Sequence, residues 1–476
     1  MQINALIKFA RYGLYAVILA LTVAGFYRYT GHLYVYLIFS AVSNALLYYG
    51  FRKNSMFFEA FIGVFFWLGF WLKLTVRIIF YEGMFHDSVG YFDASAGAFD
   101  YALLTASCGI FGLILASIVR EKYIFNYPRK TVEYEHNGIL NFYKDYRSFI
   151  LIGFAIIFIT VALTNIYFGI YQRGEITKTI LPFGLNGIYK WLLLFGLASG
   201  SAVIWQCELH LKNNVSYLII ILSLLESLAS SVAMFSRGMI LNVSALGYGI
   251  YKTIKVGSAR WSKYILLLSF LMFIVLFACS VFMVNYMRSN DKNIASQNDR
   301  LSTATNLAVP LFLDRWVGME GVMAVTSYPK KGWNLWGEAW AEKYSENSMT
   351  LYDKDIISAT YTESDMAKKH SISLPGIVAF FFYPGSYLFL FGCLFLLGLF
   401  AAVTEIAAFK LGGNNLILCS LLAEVIAYRY ANFGYVPAQS YLLFGTIFMN
   451  LFIINFFDKF YEIFNDFKSS ETIVPK

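Results

Sequence analysis

Apolar runs of about twenty residues, each bounded by a short polar stretch, recur along most of the chain. A helix needs roughly 20 such residues to cross a ~30 Å hydrocarbon core. The runs fall near 10–27, 33–51, 56–80, 99–119, 148–171, 187–206, 216–235, 238–254, 264–286, 375–404, 416–428 and 440–457. They are continuous rather than alternating. Only helices or closed barrels satisfy the backbone in lipid, so each run predicts a helix and not a barrel strand. The seventh and eighth runs are divided only by Ser236, Arg237 and Gly238, and Pro384 with Gly385 breaks the tenth. The pattern predicts an all-α polytopic membrane protein of about twelve transmembrane helices.

Composition narrows the class further. Of 476 residues, 58% are hydrophobic and 14% charged, and there are 8 prolines. Soluble domains carry roughly 25% charged residues, so a soluble enzyme and a disordered chain are both excluded. The five cysteines, Cys108, Cys207, Cys279, Cys393 and Cys419, fall in or beside apolar runs, which excludes a disulfide framework and metal-binding spacing. The net charge of +8 forms no basic stripe with interleaved aromatics, so it does not point to nucleic acid. Lys8 and Arg11 before the apolar stretch from Tyr12 to Phe26 look like the start of a signal peptide. No small-residue cleavage site follows, and the stretch is read as the first span.

Lysine and arginine instead set topology. With the N-terminus inside, the inner segments hold nineteen of them and the short outer loops five: Arg28, Arg173, Lys178, Arg237 and Arg429. An even number of spans then puts both termini in the cytoplasm, with a bacterial inner membrane as the natural setting. The chain divides into helices 1–9 over 1–286, a large outer loop of 88 residues over 287–374, helices 10–12 over 375–457, and a cytoplasmic tail, 458–476. No internal repeat and no GxxxxGK[ST] loop is present, which weighs against a repeat-built transporter and an ATPase subunit. Gly196 and Gly200 form a GxxxG pattern, read as a close helix contact.

The large loop holds too many aromatics for disorder and is predicted to carry two or three short helices lying on the outer membrane surface. One helix-like run extends from Asp314 to Val325. Trp333, Trp336 and Trp340, at i, i+3 and i+7, share one face. They fit an interfacial aromatic belt, or stacking against sugar rings. Arg237 sits between two apolar runs, where an ionisable group is expensive and by default functional. Arg288, Arg300 and Arg315 flank or lie within the loop, and Arg429 ends the eleventh run. A guanidinium offers a planar fork of donors matched to phosphate oxygens. Several converging on one cavity would bind a lipid-linked diphosphate; singly, each could reach lipid phosphates or pair with a carboxylate. His370, at the end of the loop, can accept a proton near neutral pH, or is a surface histidine beside Lys368 and Lys369. Glu320 is the second proton acceptor. Glu226 and Glu424, within apolar runs, are proton-relay groups of a transporter or structural polar contacts. Asp353 and Asp355 form a DxD triplet that is discounted, because nucleotide-sugars are cytoplasmic and the triplet is expected outside.

The layout resembles the bacterial O-antigen and capsule repeat-unit polymerases of the Wzy type, with ten to fourteen spans and one large periplasmic loop before the last helices. Ser236, Arg237 and Gly238 before Met239, Ile240 and Leu241 look like that family's arginine at the end of a span. The stretch from Ser373 through Gly376 to Pro384, Gly385 and Ser386 is similar to the segment entering the helix after the loop. His370 with Gly385 resembles, at altered spacing, the His-to-Gly segment of the related O-antigen ligases. The resemblance implies a GT-C-like helical glycosyltransferase that polymerises undecaprenyl-diphosphate-linked oligosaccharides at the periplasmic face, without a cofactor or metal. Its partners would be that lipid-linked substrate and membrane lipid, with a chain-length regulator also admitted and no nucleic acid. Arg237 and Arg429 would grip the diphosphate with Arg315 or Arg288 assisting, His370 or Glu320 would take the proton, and the three tryptophans would hold sugar. An O-antigen ligase using the same donor, and a lipid-linked sugar flippase or transporter, are the alternatives.

Overall fold

The computed structural model describes residues 2–85, 88–128, 134–212, 216–256, 271–280, 282–283, 316–343, 345–346, 348–359, 373–434 and 437–471. Among them there is no strand. We number the helices α1 (Gln2–Arg28), α2 (Leu33–Phe51), α3 (Phe57–Phe80), α4 (Ala96–Tyr123), α5 (Asn137–Phe168), α6 (Pro182–Lys212), α7 (Tyr217–Ala233), α8 (Leu241–Val256) and α9 (Leu271–Ser280). After these come α10 (Met319–Ser327), α11 (Trp333–Ala341), α12 (Ile377–Phe381), α13 (Tyr387–Leu411), α14 (Leu416–Ala431) and α15 (Ala438–Glu471). Seven among the described residues, α2 to α6, α13 and the Ala438–Asn465 part of α15, are long and apolar enough to cross a membrane. The chain is thus a helical membrane protein. Its outer surface agrees: Phe149, Tyr167 and Leu388 are each about four-fifths exposed, as side chains facing lipid would be.

Small residues let the helices approach. A Cβ on Gly112 of α4 would lie 2.7 Å from the Phe391 carbonyl of α13, and one on Gly398 of α13 would lie 2.7 Å from the Ala116 Cβ. Gly249 of α8 meets Ile417 of α14 in the same way, and nearby Ser420 Oγ donates to the Ala245 carbonyl at 2.7 Å. Such contacts replace the hydrophobic drive that helices lack in lipid. Gly200, in the second half of the GxxxG pattern, lies against Phe154 of α5.

One end of the bundle is knotted by charge. Glu59 pairs with Arg120, whose Nε donates to Oε1 at 2.9 Å, and Arg52 pairs with Glu121 at 2.7 Å. Glu405 of α13 accepts from the Phe57 and Phe58 amides at 2.8 and 2.9 Å, satisfying otherwise orphaned donors at the start of α3. At the opposite end the connections are longer, and the short helices α10, α11 and α12 gather there.

The loop pattern predicts short helices on the membrane surface. Helix α10 is instead buried, with Met319 through Thr326 all inside the core. Its entry is glycine-lined: Gly318 lies on the backbone of Gly69 in α3, and Gly321 on that of Pro375, with no room for a Cβ at either. The helix begins at Met319, leaving Trp316 and Val317 outside it; Trp316 stacks on Phe65, ring centroids 5.8 Å apart. Only α11 keeps an amphipathic character, burying Leu335 and Ala339 while Trp333 and Trp340 are exposed. The expected break at Pro384 and Gly385 is present. It separates α12 from α13, Gly385 has φ +74°, and Ser386 Oγ caps α13 by accepting from the Phe389 amide.

Candidate functional site

A cavity of about 200 Å³ opens at the end of the bundle away from the charge knot. Among the described residues, five pieces of chain build it: the α5–α6 connection, the first turns of α6, the α7–α8 junction, the segment before α12 that holds Leu374, and α14 with the start of α15. Asn165 fixes the first of these. Its Nδ2 donates to the Tyr171 and Ala233 carbonyls at 2.9 and 2.7 Å, and its Oδ1 accepts from the Tyr171 amide at 2.9 Å. One asparagine thereby ties the connection after α5 to the end of α7. Gly169, at φ +58°, supplies the left-handed turn that ends α5. Arg173 is held next, by its amide to the Met234 carbonyl at 2.9 Å and by Nη1 donating to Ser236 Oγ at 3.2 Å.

Helix α14 presents Glu424, Val425, Tyr428 and Arg429 to the cavity, a set at i, i+1, i+4 and i+5 that shares one face. The Arg173 guanidinium lies 5.8 Å from the Tyr428 ring centroid. Gly238 borders the Tyr428 hydroxyl so closely that a Cβ there would also lie 2.8 Å from Cζ. Across the cavity, Lys190 Nζ of α6 donates to Gln439 Oε1 of α15 at 3.2 Å and sits 5.3 Å from the Tyr171 ring centroid. The backbone of α6 widens into a π-helical turn at Leu192–Gly196. Asn242 Nδ2 donates to the Leu194 carbonyl within it at 2.9 Å. Single π turns often mark functional sites.

Among the described residues, Arg173, Lys190 and Arg429 contribute three cations to the lining and Glu424 one carboxylate, and Leu194, Phe195, Leu442 and Leu443 contribute apolar surface. Leu442 is 61% exposed although it lines the cavity, so the space reaches the bundle perimeter between α6 and α15. Deeper in the bundle the two helices are tied by Asn450 Nδ2 donating to Ser199 Oγ at 3.2 Å.

Of the residues singled out in the sequence, Arg429 lines this cavity. Arg237 begins the 3-10 turn Arg237–Ile240 next to cavity-lining Gly238, but its side chain lies outside the described residues. His370, Arg288 and Arg315 also lie outside them, as does Arg300. Leu374, four residues after His370, lines the cavity. Glu320 is elsewhere: on buried α10 it pairs with Lys73, whose Nζ also donates to the Trp316 carbonyl at 3.0 Å. Trp333, Trp336 and Trp340 form an aromatic patch with Phe389, which lies 5.1 Å from Trp333 and 5.0 Å from Trp336. Trp336 also packs on Phe380, and Phe380 on Phe433 at 4.8 Å, two residues beyond α14. Burial pushes the nearby Lys331 ammonium below its ordinary range and the Glu342 carboxyl above its own. The DxD aspartate Asp353 is buried and accepts from Thr350 Oγ1 at 2.7 Å and the Ser373 amide at 3.2 Å, so it pins the chain leading to Leu374.

Arg173 and Lys190 are the cations that sequence reasoning passed over. Arg173 counted only as a topology charge. Lys190 follows the opening of an apolar run, and the rule that flagged Glu226 and Glu424 as intramembrane ionisable groups applies to it equally. Among the described residues no group of three His, Cys, Asp or Glu is placed to hold a metal ion. Comparisons of the chain with protein-family models, with curated proteins and with solved structures find no match.

Proposed function

We propose that the chain is a membrane glycosyltransferase that polymerises undecaprenyl-diphosphate-linked oligosaccharide repeat units at the periplasmic face of a bacterial inner membrane. In this reading it is a GT-C-like bundle of about twelve spans with both termini cytoplasmic, and segment 287–374 belongs to the periplasmic side. One observation carries the reading: Arg173, Lys190 and Arg429, from three separate elements, line one cavity together with apolar Leu194, Phe195, Leu442 and Leu443, of which Leu442 is exposed at the bundle perimeter. That combination suits an amphiphile with a multiply charged head and a hydrocarbon tail. A guanidinium pair keeps its charge at any working pH and forms forked bonds to phosphate oxygens.

In the reaction, the C1–O bond between donor sugar and diphosphate breaks, and the electron pair leaves with the diphosphate. An acceptor sugar hydroxyl forms the new C1–O bond and gives up its proton. The three cations stabilise charge as it grows on the leaving diphosphate, and removing one such donor typically costs about 10²–10³-fold in rate. His370, four residues before cavity-lining Leu374 in the chain, serves as the proton acceptor in this reading, whereas Glu320 is engaged by Lys73. The exposed Trp333 and Trp340 offer faces on which sugar rings stack.

The test is turnover of purified lipid-linked repeat units by the full-length protein in nanodiscs. Arg429→Ala and Arg173→Ala are expected to lower the rate by about 10²-fold or more each. Both variants forming polymer at the wild-type rate, at matched protein levels, sinks the proposal. A second reading, transport of the same lipid-linked anion, is favoured by the buried carboxylates Glu226 and Glu424, 1% and 2% exposed. It predicts movement of intact lipid-linked repeats across proteoliposomes with no change in their length.

A further inference from the structure

Two helices face each other across the cavity. Helix α6 lines it with Gly187, Lys190, Trp191 and Leu194, and α15 with Gln439, Leu442, Leu443 and Thr446, each set spaced i, i+3, i+4 and i+7. Two hydrogen bonds frame the gap between them. Lys190 Nζ on Gln439 Oε1 closes the outer edge, and Asn450 Nδ2 on Ser199 Oγ, both side chains buried, closes the inner one. The ties stand nine residues apart on α6 and eleven on α15, about 14 and 17 Å at 1.5 Å per residue. Among the described residues no side-chain hydrogen bond joins the two helices between them. Helix α6 is secured elsewhere, by Asn242 of α8 on the Leu194 carbonyl. The bundle wall thus has a window. Leu442 within it is exposed, and a Cβ on Gly187 would meet nothing within 4 Å. Thr446 turns its hydroxyl onto its own helix, where Oγ1 donates to the Leu442 and Leu443 carbonyls at 2.9 and 2.8 Å.

An apolar cleft left empty forfeits dispersion contacts along its walls, so hydrocarbon fills a gap that opens to lipid. Charge decides what that hydrocarbon is attached to. Arg173, Lys190 and Arg429 line the same cavity, against the one carboxylate of Glu424. The phosphodiester of an ordinary phospholipid carries a single negative charge, whereas a diphosphate monoester carries more and has oxygens for several donors. We infer that the window between α6 and α15 is a hydrocarbon-chain site, seating the first isoprene units of a single prenyl chain whose diphosphate lies against the three cations. Lys190 belongs to both parts, as a cation of the head site and as the outer frame of the window, and so marks where head ends and chain begins. The inference deepens the proposed function and rests on it for the identity of the chain. Leu442, Leu443 and Thr446 determine specificity in this account by touching the chain, and none of them touches the reacting atoms.

The experiment compares binding of farnesyl diphosphate and inorganic pyrophosphate to the full-length protein in phosphatidylcholine nanodiscs by calorimetry, with empty nanodiscs subtracted. Farnesyl diphosphate is expected to bind about 100-fold tighter. Thr446→Trp, which fills the window without altering a cation, should cut that advantage to less than threefold and keep pyrophosphate affinity within twofold. A diazirine placed on the farnesyl chain should label residues 187–195 and 439–446 of the unaltered protein, which tests the site without any substitution. Equal affinity for the two ligands, an advantage that survives Thr446→Trp, or labelling confined to other segments overturns the inference. Phosphatidic acid added to the nanodiscs should change farnesyl diphosphate binding by less than twofold; abolished binding assigns the window to bulk anionic phospholipid and overturns it too. A protein that binds neither ligand removes the cavity's assignment as a diphosphate site, and the inference falls with it. Chain-dependent binding in a protein that polymerises nothing leaves the chain site standing and rejects only the glycosyl-transfer reading.

Discussion

Gly238 is the position where the smallest change reaches the cavity most directly. Its missing side chain leaves room for the Tyr428 hydroxyl, and the Tyr428 ring in turn borders the Arg173 guanidinium. Gly238→Ala forces the ring to move, so pyrophosphate affinity should fall about threefold to tenfold, or roughly 1 kcal/mol, while thermal stability changes little. Calorimetry on the folded variant checks this. Arg429 was legible from sequence because a charge ending an apolar run stands out. Arg173 and Lys190 were not, because their meeting with Arg429 depends on how α5, α6 and α14 pack, and no spacing along the chain encodes that. Tyr428 and Gln439 gave no signal at all: a tyrosine or glutamine near a helix end is ordinary in a chain with 35 tyrosines.

Among the elements, α10 separates most sharply what pattern reveals from what packing decides. Its position in a long polar segment, close to several tryptophans, predicts a helix lying on the surface. Two facts bury it instead. Gly69, Gly318 and Gly321 allow backbone contact on two sides, and Lys73, within the apolar second half of α3, supplies a partner for Glu320. Lys73 was itself a visible clue, since an ammonium in an apolar run needs a carboxylate somewhere. Lys73→Met removes the ammonium that pairs with the buried Glu320 carboxylate and should destabilise the protein by about 3–5 kcal/mol. The double variant Lys73→Met with Glu320→Met should recover most of that loss. Thermal unfolding in detergent measures both, and equal melting temperatures for the single and double variants would remove the pair from its role. The apolar runs were legible as helices because length and hydropathy suffice for that, while seven among the described residues are long and apolar enough to cross a membrane and the tenth run, 375–404, divides into α12 and α13. The π turns at Trp67–Leu72 and Leu192–Gly196 were not, since one extra residue per turn leaves no periodic trace in a uniformly apolar run.

For the whole molecule, the distribution of lysine and arginine makes a claim about sidedness that can be tested without any enzymology. In the proposed arrangement the segment carrying Trp333 and the mouth of the cavity share one side, and the Arg52–Glu121 knot faces the other. Single-cysteine variants at Trp333 and Tyr123, in a background without native cysteines, should be labelled from opposite sides of intact cells by a membrane-impermeant maleimide. Trp333→Cys should react from outside and Tyr123→Cys only after lysis; the reverse pattern inverts the topology and takes the periplasmic reaction with it.

The charge knot carries a mechanical consequence as well. Arg52, Glu59, Arg120 and Glu121 fasten the ends of α2, α3 and α4 through ion pairs, and Glu405 of α13 joins them by hydrogen bonds from the Phe57 and Phe58 amides. At the far end Lys190 of α6 bonds Gln439 of α15, and deeper in the bundle Asn450 of α15 bonds Ser199 of α6. The knot and the cavity thus lie at opposite ends of the bundle and on different sets of helices, so the cavity's contacts can part without disturbing the knot. In the proposed function, a lipid-linked head would enter beside perimeter Leu442 and leave the charge knot untouched.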